Sequence, residues 1–292
     1  MLEIQYFITY PASFAAAAAL FGLIVGSFLN VVIFRLPVAL EREWRSQCAQ
    51  LLNCTNQPLP PAAPFNLLVP RSHCPTCGHI IGVLENVPLL SYLWLRGRCS
   101  ACGARISLRY PTVEILSAVL AAMVAWRFGF GPEAAGGLIL TWVLIVLGFI
   151  DIDHQLLPDN ITLPFLWMGL GLNLFGLYAS LEASLLGAMA GYGILWSVYQ
   201  LFRLVTGKEG MGFGDFKLMA MLGAWLGWQA LPVIVLLSSV VGAIVGVTLV
   251  WIRKREKNAP IPFGPYIAIA GWIALMWGNE LTHWYLDLSG GQ

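Results

Sequence analysis

Long apolar runs constrain the fold of this chain more than any other feature of its sequence. Most of them approach the ~20 residues with which a helix crosses a bilayer, and they follow one another with few charges inside. Eight such runs cover residues 14–34, 111–130, 135–152, 161–179, 184–205, 217–230, 232–252 and 263–285. Backbone polar groups find no water in the hydrocarbon, so runs of this kind fold as helices. The sequence therefore predicts an all-α polytopic membrane protein with about eight transmembrane helices.

Composition excludes a soluble monomer. Hydrophobic residues make up 58% of the 292-residue chain and charged residues 11%, whereas a soluble domain carries about 25% charged residues. The first apolar run is not a cleavable signal, because its alanines stand at its start and it ends directly in Arg35. A signal peptide has its small residues after the apolar run. Residues 1–35 are therefore predicted to hold the first transmembrane helix.

The distribution of basic residues predicts how the chain is oriented in the membrane. Residues 36–110 separate the first two runs, and half of the 16 lysines and arginines lie in or beside them. Eight spans would put Arg203, Lys217 and the basic cluster at 253–257 on the same side, and only Arg127 opposite. Cytoplasmic loops carry an excess of lysine and arginine. The insert is therefore predicted to face the cytoplasm, with both termini on the other side of the membrane.

The insert contains two cysteine pairs with metal-ligand spacing. Cys74 and Cys77 form one C-x2-C pair, and Cys99 and Cys102 form another after a 21-residue gap. Two such knuckles complete a tetrahedral sulfur site, typical of structural zinc with no open position for water. Ligation of an iron–sulfur cluster is an alternative. A disulfide is disfavoured in the reducing cytoplasm.

Other cysteines and histidines of the insert fall outside this pattern. Cys48 and Cys54 are interpreted as plain thiols. His73 and His79 flank the first knuckle, but four sulfurs already fill a tetrahedral site. Both histidines are therefore interpreted as bystanders.

Two aspartates stand at the predicted cytoplasmic ends of apolar runs. Asp151 follows Phe149 and Ile150, and Asp215 opens the sixth run. Two carboxyls in a poorly solvated pocket share one proton, so that one can activate water while the other donates a proton. This arrangement hydrolyses peptide bonds without a metal or a covalent nucleophile. Asp153 and Asp159 are better explained as solvated interface residues, and Asp159 could cap the following helix.

Gly212, Gly214 and Lys217 are predicted to support Asp215. Without side chains, the two glycines can adopt a positive φ or let a substrate strand approach closely. Lys217 lies one helical turn or less from Asp215 and could help to hold one carboxylate ionised. A lysine that anchors the helix at the interface is an equally good explanation.

Four motifs together resemble one protein family. They are "GSFLNVVIFRLP" at 26–37, the paired knuckles "CPTCG" and "CSACG", "FIDIDHQLLPD" at 149–159 and "GMGFGDFK" at 210–217. In this order they resemble the bacterial prepilin peptidases, or type IV leader peptidases, a family of intramembrane aspartic proteases with a glycine-x-glycine-aspartate signature. The resemblance implies catalysis by Asp151 and Asp215. It also implies zinc on Cys74, Cys77, Cys99 and Cys102.

The resemblance also implies substrates and a second reaction. Members cleave the basic leader of prepilins and type II secretion pseudopilins at the cytoplasmic face of the bacterial inner membrane. They then methylate the new amino terminus with S-adenosylmethionine. The expected partners are these pilin-like substrates and the lipid bilayer, with no nucleic acid. The expected parts are a first helix at 1–35, an insert at 36–110 and a peptidase core at 111–292.

The methyl-donor site has no recognisable motif. No Rossmann-type G-x-G-x-x-G follows a strand pattern. Glu43, Glu85 and the turn at 96–98 could serve a cofactor, but solvated loop charge explains each of them better. A peptidase without methyl transfer is therefore an alternative. A transporter with intramembrane carboxylates is another, although the halves show no inverted repeat. A structural subunit of a secretion channel is a third.

Overall fold

The structure is a computed structural model that describes residues 7, 9–51, 65–208, 210–253 and 262–288. Cys54 and the basic residues at 254–257 lie outside the described residues. Within them, every regular element is a helix, as the sequence predicted. His73–Ile80 and Arg98–Arg105 form isolated antiparallel bridges.

The α-helices follow the predicted runs. They are α1 Pro11–Leu51, α2 Leu90–Trp94, α3 Arg109–Phe128, α4 Pro132–His154, α5 Asp159–Asn173, α6 Leu181–Thr206, α7 Phe213–Leu226, α8 Leu231–Arg253 and α9 Gly264–Leu288. Short 3-10 helices lie at Leu84–Asn86 and Trp228–Ala230. The described chain forms two compact units, unit 1 at Met1–Gly129 and unit 2 at Phe130–Gln292. The predicted division into a first helix at 1–35, an insert at 36–110 and a peptidase core at 111–292 stays a prediction.

Helix α1 is longer than its apolar run. It was predicted to end near residue 34, but it continues through Pro37 to Leu51. The added turns carry residues with high helix propensity and an exposed ion pair between Arg45 and Glu41 at 2.5 Å. A pair spaced i, i+4 stabilises a helix. The helix therefore extends well beyond the end of its apolar run.

Glycines hold α1 against α3 in unit 1. A Cβ on Gly26 would lie 2.7 Å from the Cα of Glu114, and one on Gly22 would lie 2.9 Å from the Cα of Ala118. The hydroxyl of Ser117 donates to the carbonyl of Gly22 at 2.7 Å. Small residues and a hydrogen bond of this kind are typical of helix pairs packed within a membrane.

Helix α7 forms the centre of unit 2. Seven of its side chains have no exposed surface: Phe216, Leu218, Met219, Met221, Leu222, Ala224 and Trp225. Its backbone nearly touches that of α6, because a Cβ on Gly223 would lie 2.1 Å from the carbonyl oxygen of Gly187. This close crossing fixes α7 and the carboxyl group that it carries.

A buried amide completes the end of α7. Asn173 donates from its side chain to the carbonyls of Ala224 and Trp225, each at 2.9 Å. Its side-chain oxygen accepts from the backbone N–H groups of Tyr178 and Ala179. The last carbonyls of a helix have no partner within it. Asn173 therefore satisfies two of them where water is excluded.

Five helical segments of the described chain are long and apolar enough to cross a membrane. They are Pro11–Leu51, Arg109–Phe128, Pro132–His154, Leu181–Thr206 and Trp228–Thr248. Helices α5 and α7 have only 15 and 14 residues, and Gly264–Gly278 forms a shorter apolar stretch. The count of eight spans therefore stays a prediction. A multi-pass membrane protein is the architecture that these helices support.

Candidate functional site

Asp151 lies in the last turn of α4. The helix ends at His154, and Gln155 then adopts a left-handed conformation with φ 52°. The N–H of Gln155 donates to the backbone carbonyl of Asp151 at 2.9 Å, which closes the helix. The side chain of Asp151 turns into the protein, and the residue is only 5% exposed.

Asp215 lies in the first turn of α7. Gly212 occupies the N-cap position, and the N–H of Asp215 donates to its carbonyl at 3.2 Å. Asp215 is 6% exposed. The positive end of a helix dipole favours a carboxylate at this position. Both predicted site aspartates are thus buried at helix ends.

The structure brings the two aspartates together. The charge of Asp151 acts on the carboxyl of Asp215, although Asp215 lies 64 positions after Asp151 in the sequence. Helix α9 packs against both α4 and α7. The three helix ends form a common polar site in unit 2.

Gly264 is a site residue that sequence reasoning missed. It is the first residue of α9, and its N–H donates to Oδ2 of Asp151 at 3.0 Å. A Cβ on Gly264 would lie 2.7 Å from the same oxygen. The signal available was "PFGP" at 262–265, a proline–glycine turn directly before an apolar run.

Leu157 fills the space between the two glycine positions of the site. A Cβ on Gly214 would lie 2.8 Å from the Cβ of Leu157, and one on Gly264 would lie 3.2 Å from its Cδ1. The prediction of a positive φ was wrong, because Gly212 has φ −81° and Gly214 is not among the glycines with positive φ. The close approach at Gly214 is to a side chain of the protein itself.

Lys217 has a different partner from the one predicted. Its ammonium lies 2.7 Å from both carboxylate oxygens of Asp159, so its ion pair is not with Asp215. Asp159 does not cap α5, because Pro158 occupies the N-cap position and no side-chain capping bond forms. Asp153 is exposed, in agreement with its interpretation as an interface residue.

The four cysteines of the two knuckles converge in unit 1. Their sulfur atoms all lie within 4.8 Å of one another. In each knuckle the glycine that follows the second cysteine has a positive φ, 72° at Gly78 and 70° at Gly103. Its N–H donates to the carbonyl of the first cysteine, at 2.9 Å and 3.0 Å. Glycine adopts this conformation without strain, so the repeated motif folds twice in the same way.

Backbone groups and neighbouring sulfur atoms shift the pKa values of the thiols in this cluster in opposite directions. Backbone N–H groups of Cys77 and Thr76 lower the pKa of Cys74 to about 6. The N–H of His79 opposes burial at Cys77, but burial and the neighbouring cysteines raise the pKa of that thiol to about 12. Four adjacent thiolates repel one another without a cation. The cluster could therefore bind a metal such as zinc, which prefers four thiolates in a tetrahedron.

The side chain of His79 contacts a carboxylate, that of Glu85. Its Nε2 lies 3.2 Å from Oε2 of Glu85, and the N–H of Gly82 donates to the same oxygen at 2.8 Å. The hydroxyl of Ser100 donates to the other oxygen. The Ser100 hydroxyl, the Gly82 N–H and His79 lower the pKa of Glu85 to about 2, so this carboxylate is ionised at neutral pH.

Two family models match the chain. Residues 20–128 match the Bacterial Peptidase A24 N-terminal domain, and residues 138–247 match the Type IV leader peptidase family. The first match contains the four cysteines, and the second contains both buried aspartates.

Curated relatives resemble the chain over nearly its whole length. A prepilin leader peptidase/N-methyltransferase of Stutzerimonas stutzeri is 55% identical over 99% of both chains. One of the same name from Pseudomonas aeruginosa is 55% identical over 98% of both chains. Another, from Aeromonas hydrophila, is 56% identical over 94% of this chain and 95% of the relative. No solved structure matches the chain.

Proposed function

Because the chain belongs to the family of prepilin leader peptidases/N-methyltransferases, we propose that it cleaves the leader peptides of prepilins and pseudopilins and methylates the new amino terminus. The observation that carries the cleavage proposal is the pair of buried carboxyls in unit 2. Asp151 and Asp215 are both less than a tenth exposed, and they lie close enough to interact electrostatically.

The two aspartates take different roles in this proposal. The N–H of Gly264 donates to Asp151, and a donor of this kind stabilises an ionised carboxylate. Two carboxyls that share a buried site hold one proton between them. Asp151 is therefore assigned as the general base and Asp215 as the general acid.

Cleavage then follows from the positions of these groups. Asp151 removes a proton from a water molecule as its oxygen attacks the scissile carbonyl carbon. Asp215 gives its proton to the carbonyl oxygen, which forms a neutral tetrahedral species. When the C–N bond breaks, the leaving amine takes up the proton that Asp151 received, and one hydroxyl of the tetrahedral species returns a proton to Asp215 as the new carboxylic acid forms. General acid–base catalysis of this kind needs both groups in place.

The membrane arrangement is part of the proposal. Eight membrane helices would put residues 36–110 and both aspartates at the cytoplasmic face of the bacterial inner membrane and the termini in the periplasm. The distribution of lysine and arginine supports this orientation, because cytoplasmic loops are enriched in both. The pilin-like substrates carry basic leaders, which remain on the same side.

The two cofactors have separate roles. Cys74, Cys77, Cys99 and Cys102 would hold zinc, and the ion would stabilise the insert, since four thiolates leave no position for water. S-adenosylmethionine would supply the methyl group as a sulfonium. No step of peptide cleavage requires either cofactor.

The test is cleavage of a purified prepilin by variants of the aspartates. Asp151→Asn and Asp215→Asn should each abolish cleavage and leave insertion into the membrane unchanged, because the acid–base pair needs both members. Asp153→Asn is the matched control: it lies on the same helical turn as Asp151 but is exposed. Wild-type cleavage in either site variant would remove that residue from catalysis, and equal loss in the control would show that the pair is wrongly chosen.

A further inference from the structure

Helix α2 of the insert exposes three large apolar side chains on one of its sides. Leu90, Leu93 and Trp94 are 65%, 63% and 81% exposed. Their spacing of i, i+3 and i+4 places them next to one another on the helix surface. We call these three residues the apolar patch. Single exposed leucines are common on proteins, but a contiguous apolar patch marks a surface that binds a membrane or a partner.

The neighbouring 3-10 helix exposes further apolar side chains. This helix, Leu84–Asn86, packs against α2. Leu84 is 75% exposed, and Val83, directly before it, is 86% exposed. Two adjacent elements of the insert therefore present apolar side chains outward.

A hydrogen bond connects the start of α2 to a membrane helix. The backbone N–H of Leu89 donates to Oε2 of Glu114 at 2.7 Å. Arg109 begins α3, and Glu114 follows it by five positions, about 7 Å along the helix axis. Helix α3 is long and apolar enough to cross a membrane. The start of α2 therefore lies beside the end of a membrane helix, where the bilayer surface is expected.

This connection, and not burial of α2 itself, sets the direction of the helix. None of the five residues of α2 is buried. Leu89, its N-cap residue, has φ 58°, a backbone conformation that residues other than glycine rarely adopt. The carboxyl group of Glu114 holds the N–H of Leu89 in this conformation. The apolar patch is thus held outward by a contact with α3.

Two arginines lie side by side shortly after α2. Arg98 and Arg105 form an isolated antiparallel bridge. The backbone hydrogen bonds on either side of this pair are both 2.8 Å long, and they form the pattern found around a pair whose side chains lie close together. Like charges directly opposite each other are destabilising. An anion bound between the two guanidinium groups would remove this repulsion.

The surrounding chain supplies no such anion. Residues 86–113 contain four arginines and no aspartate or glutamate. Among the described residues, neither Arg98 nor Arg105 forms an ion pair, and both are exposed. Anionic lipids attract lysine and arginine next to a membrane helix. The phosphate group of a lipid would therefore supply the negative charge.

We propose that the insert docks on the bilayer surface, with the apolar patch in the interfacial layer and with Arg98 and Arg105 on the phosphate of an anionic lipid. Amphipathic segments lie in this layer with their apolar side chains at the boundary between headgroups and acyl chains. Tryptophan is enriched at the same boundary. The inference goes beyond peptide cleavage and methyl transfer, and it requires only that α1 and α3 span the membrane.

The observations favour lipid over a protein partner as the occupant of this surface. The patch begins next to a membrane helix, so lipid is already present at that level. Basic residues without acidic neighbours follow the patch in the sequence, which suits the negative surface of a membrane.

The test is photocrosslinking of the full zinc-loaded chain in nanodiscs of phosphatidylglycerol and phosphatidylcholine. Benzoylphenylalanine placed at position 94 should form lipid adducts on irradiation, identified from the mass of the labelled peptide. Position 44 is the matched control. Trp44 is also an exposed tryptophan, but it follows the apolar run that ends at residue 34 by ten positions, about 15 Å along α1. Almost no lipid adduct is expected there.

Two results would overturn the proposal. One is an equal yield of lipid adducts at positions 94 and 44. The other is a crosslink from position 94 to another part of this chain, or to an added prepilin, in place of lipid.

The identity of the crosslinked lipid tests the two arginines. With phosphatidylglycerol as the minor lipid, its share of the adducts at position 94 should exceed its share of the bilayer about fivefold, as expected for one arginine near the surface. Arg98→Gln and Arg105→Gln should each lower this enrichment. Arg45→Gln is the control, because Arg45 is exposed but already pairs with Glu41. Unchanged enrichment in both site variants would contradict binding of the lipid phosphate by this pair.

Hydrogen exchange of the unaltered chain gives a measurement that needs no substitution. The backbone amides of residues 90–98 should exchange more slowly in nanodiscs that contain phosphatidylglycerol than in phosphatidylcholine alone. Those of residues 40–47 on α1 should exchange equally in both. Equal exchange of residues 90–98 in the two kinds of nanodisc would contradict docking on anionic lipid.

Discussion

The insert of unit 1 and helix α7 of unit 2 differ in how much of each segment is buried, and therefore in what holds its structure. Between residues 65 and 108 only Cys74 and Gly97 are buried. In α7, ten of 14 residues are buried. A segment with so little apolar core needs a metal or another cross-link to hold its fold. A segment packed on all sides takes its geometry from its neighbours.

Because of this difference, we expect amino-acid substitutions to act differently at the sulfur cluster and at the aspartate pair. In the insert the sulfur cluster takes the place of an apolar core, so substitutions there should act through loss of the metal. In unit 2 the aspartates depend on close packing of backbones and small residues, so damage should act through displacement of a carboxyl group.

The largest effect is expected at the cysteines. Cys74→Ser or Cys99→Ser should reduce bound zinc from about one per chain to almost none, because three thiolates hold the ion poorly. The insert should then become sensitive to protease. Metal analysis and limited proteolysis of the purified chain measure both effects. Cys48→Ser is the control and should keep its zinc. A compact insert in a metal-free preparation would show that the cluster is dispensable for the fold.

The next effect is expected at Gly264. Gly264→Ala places a Cβ 2.7 Å from Oδ2 of Asp151, so the carboxylate must move. A displacement of ~1 Å can reduce a rate about a hundredfold. The measurement is the rate of prepilin cleavage at matched membrane levels. Gly193→Ala on α6 is the control, since a Cβ there meets nothing within 4 Å. Equal rates in the two variants would mean that Gly264 does not position Asp151.

Gly214 should respond in proportion to the size of the new side chain. A Cβ there would lie 2.8 Å from Leu157, so alanine should slow cleavage and valine should slow it further. Initial rates on the same prepilin substrate give the order of the three proteins. Full activity in Gly214→Val would show that contact with Leu157 does not position Asp215.

Features that depend on local sequence could be predicted, whereas contacts between residues far apart in the chain could not. The apolar runs predict helices, because bilayer thickness sets their length. The cysteine spacing predicts the sulfur cluster, because each knuckle closes within five residues. Burial and helix-end position of Asp151 and Asp215 followed from where the charges interrupt the runs.

The contact of Gly264 with Asp151 and the ion pair of Lys217 with Asp159 are long-range contacts that the sequence did not predict. Gly264 lies 113 positions from Asp151, and Asp159 lies 58 positions from Lys217. No period or spacing in the sequence reports such pairs, because they depend on how whole helices pack. The positive φ offered as one explanation for Gly212 and Gly214 was wrong for a related reason: the small size of Gly214 serves packing at Leu157, not the backbone conformation.

The smallest effect is expected at the ion pair of Asp159 and Lys217. The side chains are 51% and 29% exposed, and exposed pairs contribute about 0–1 kcal/mol. Asp159→Asn and Lys217→Met should therefore lower the melting temperature only slightly and leave cleavage within a few-fold of wild type. Thermal unfolding and cleavage rates check this. A hundredfold loss in Lys217→Met alone would instead support a direct role beside Asp215.

Peptide cleavage is proposed to need the aspartate pair and methyl transfer is not, and a pilin that has already lost its leader tests this difference most directly. The Asp215→Asn variant is incubated with this processed pilin and S-adenosylmethionine, and in parallel with intact prepilin. We expect methylation of the processed pilin at the wild-type rate and no cleavage of the prepilin. Loss of methylation on the processed pilin, in a variant that still binds zinc, would contradict this difference, because methyl transfer would then also need Asp215.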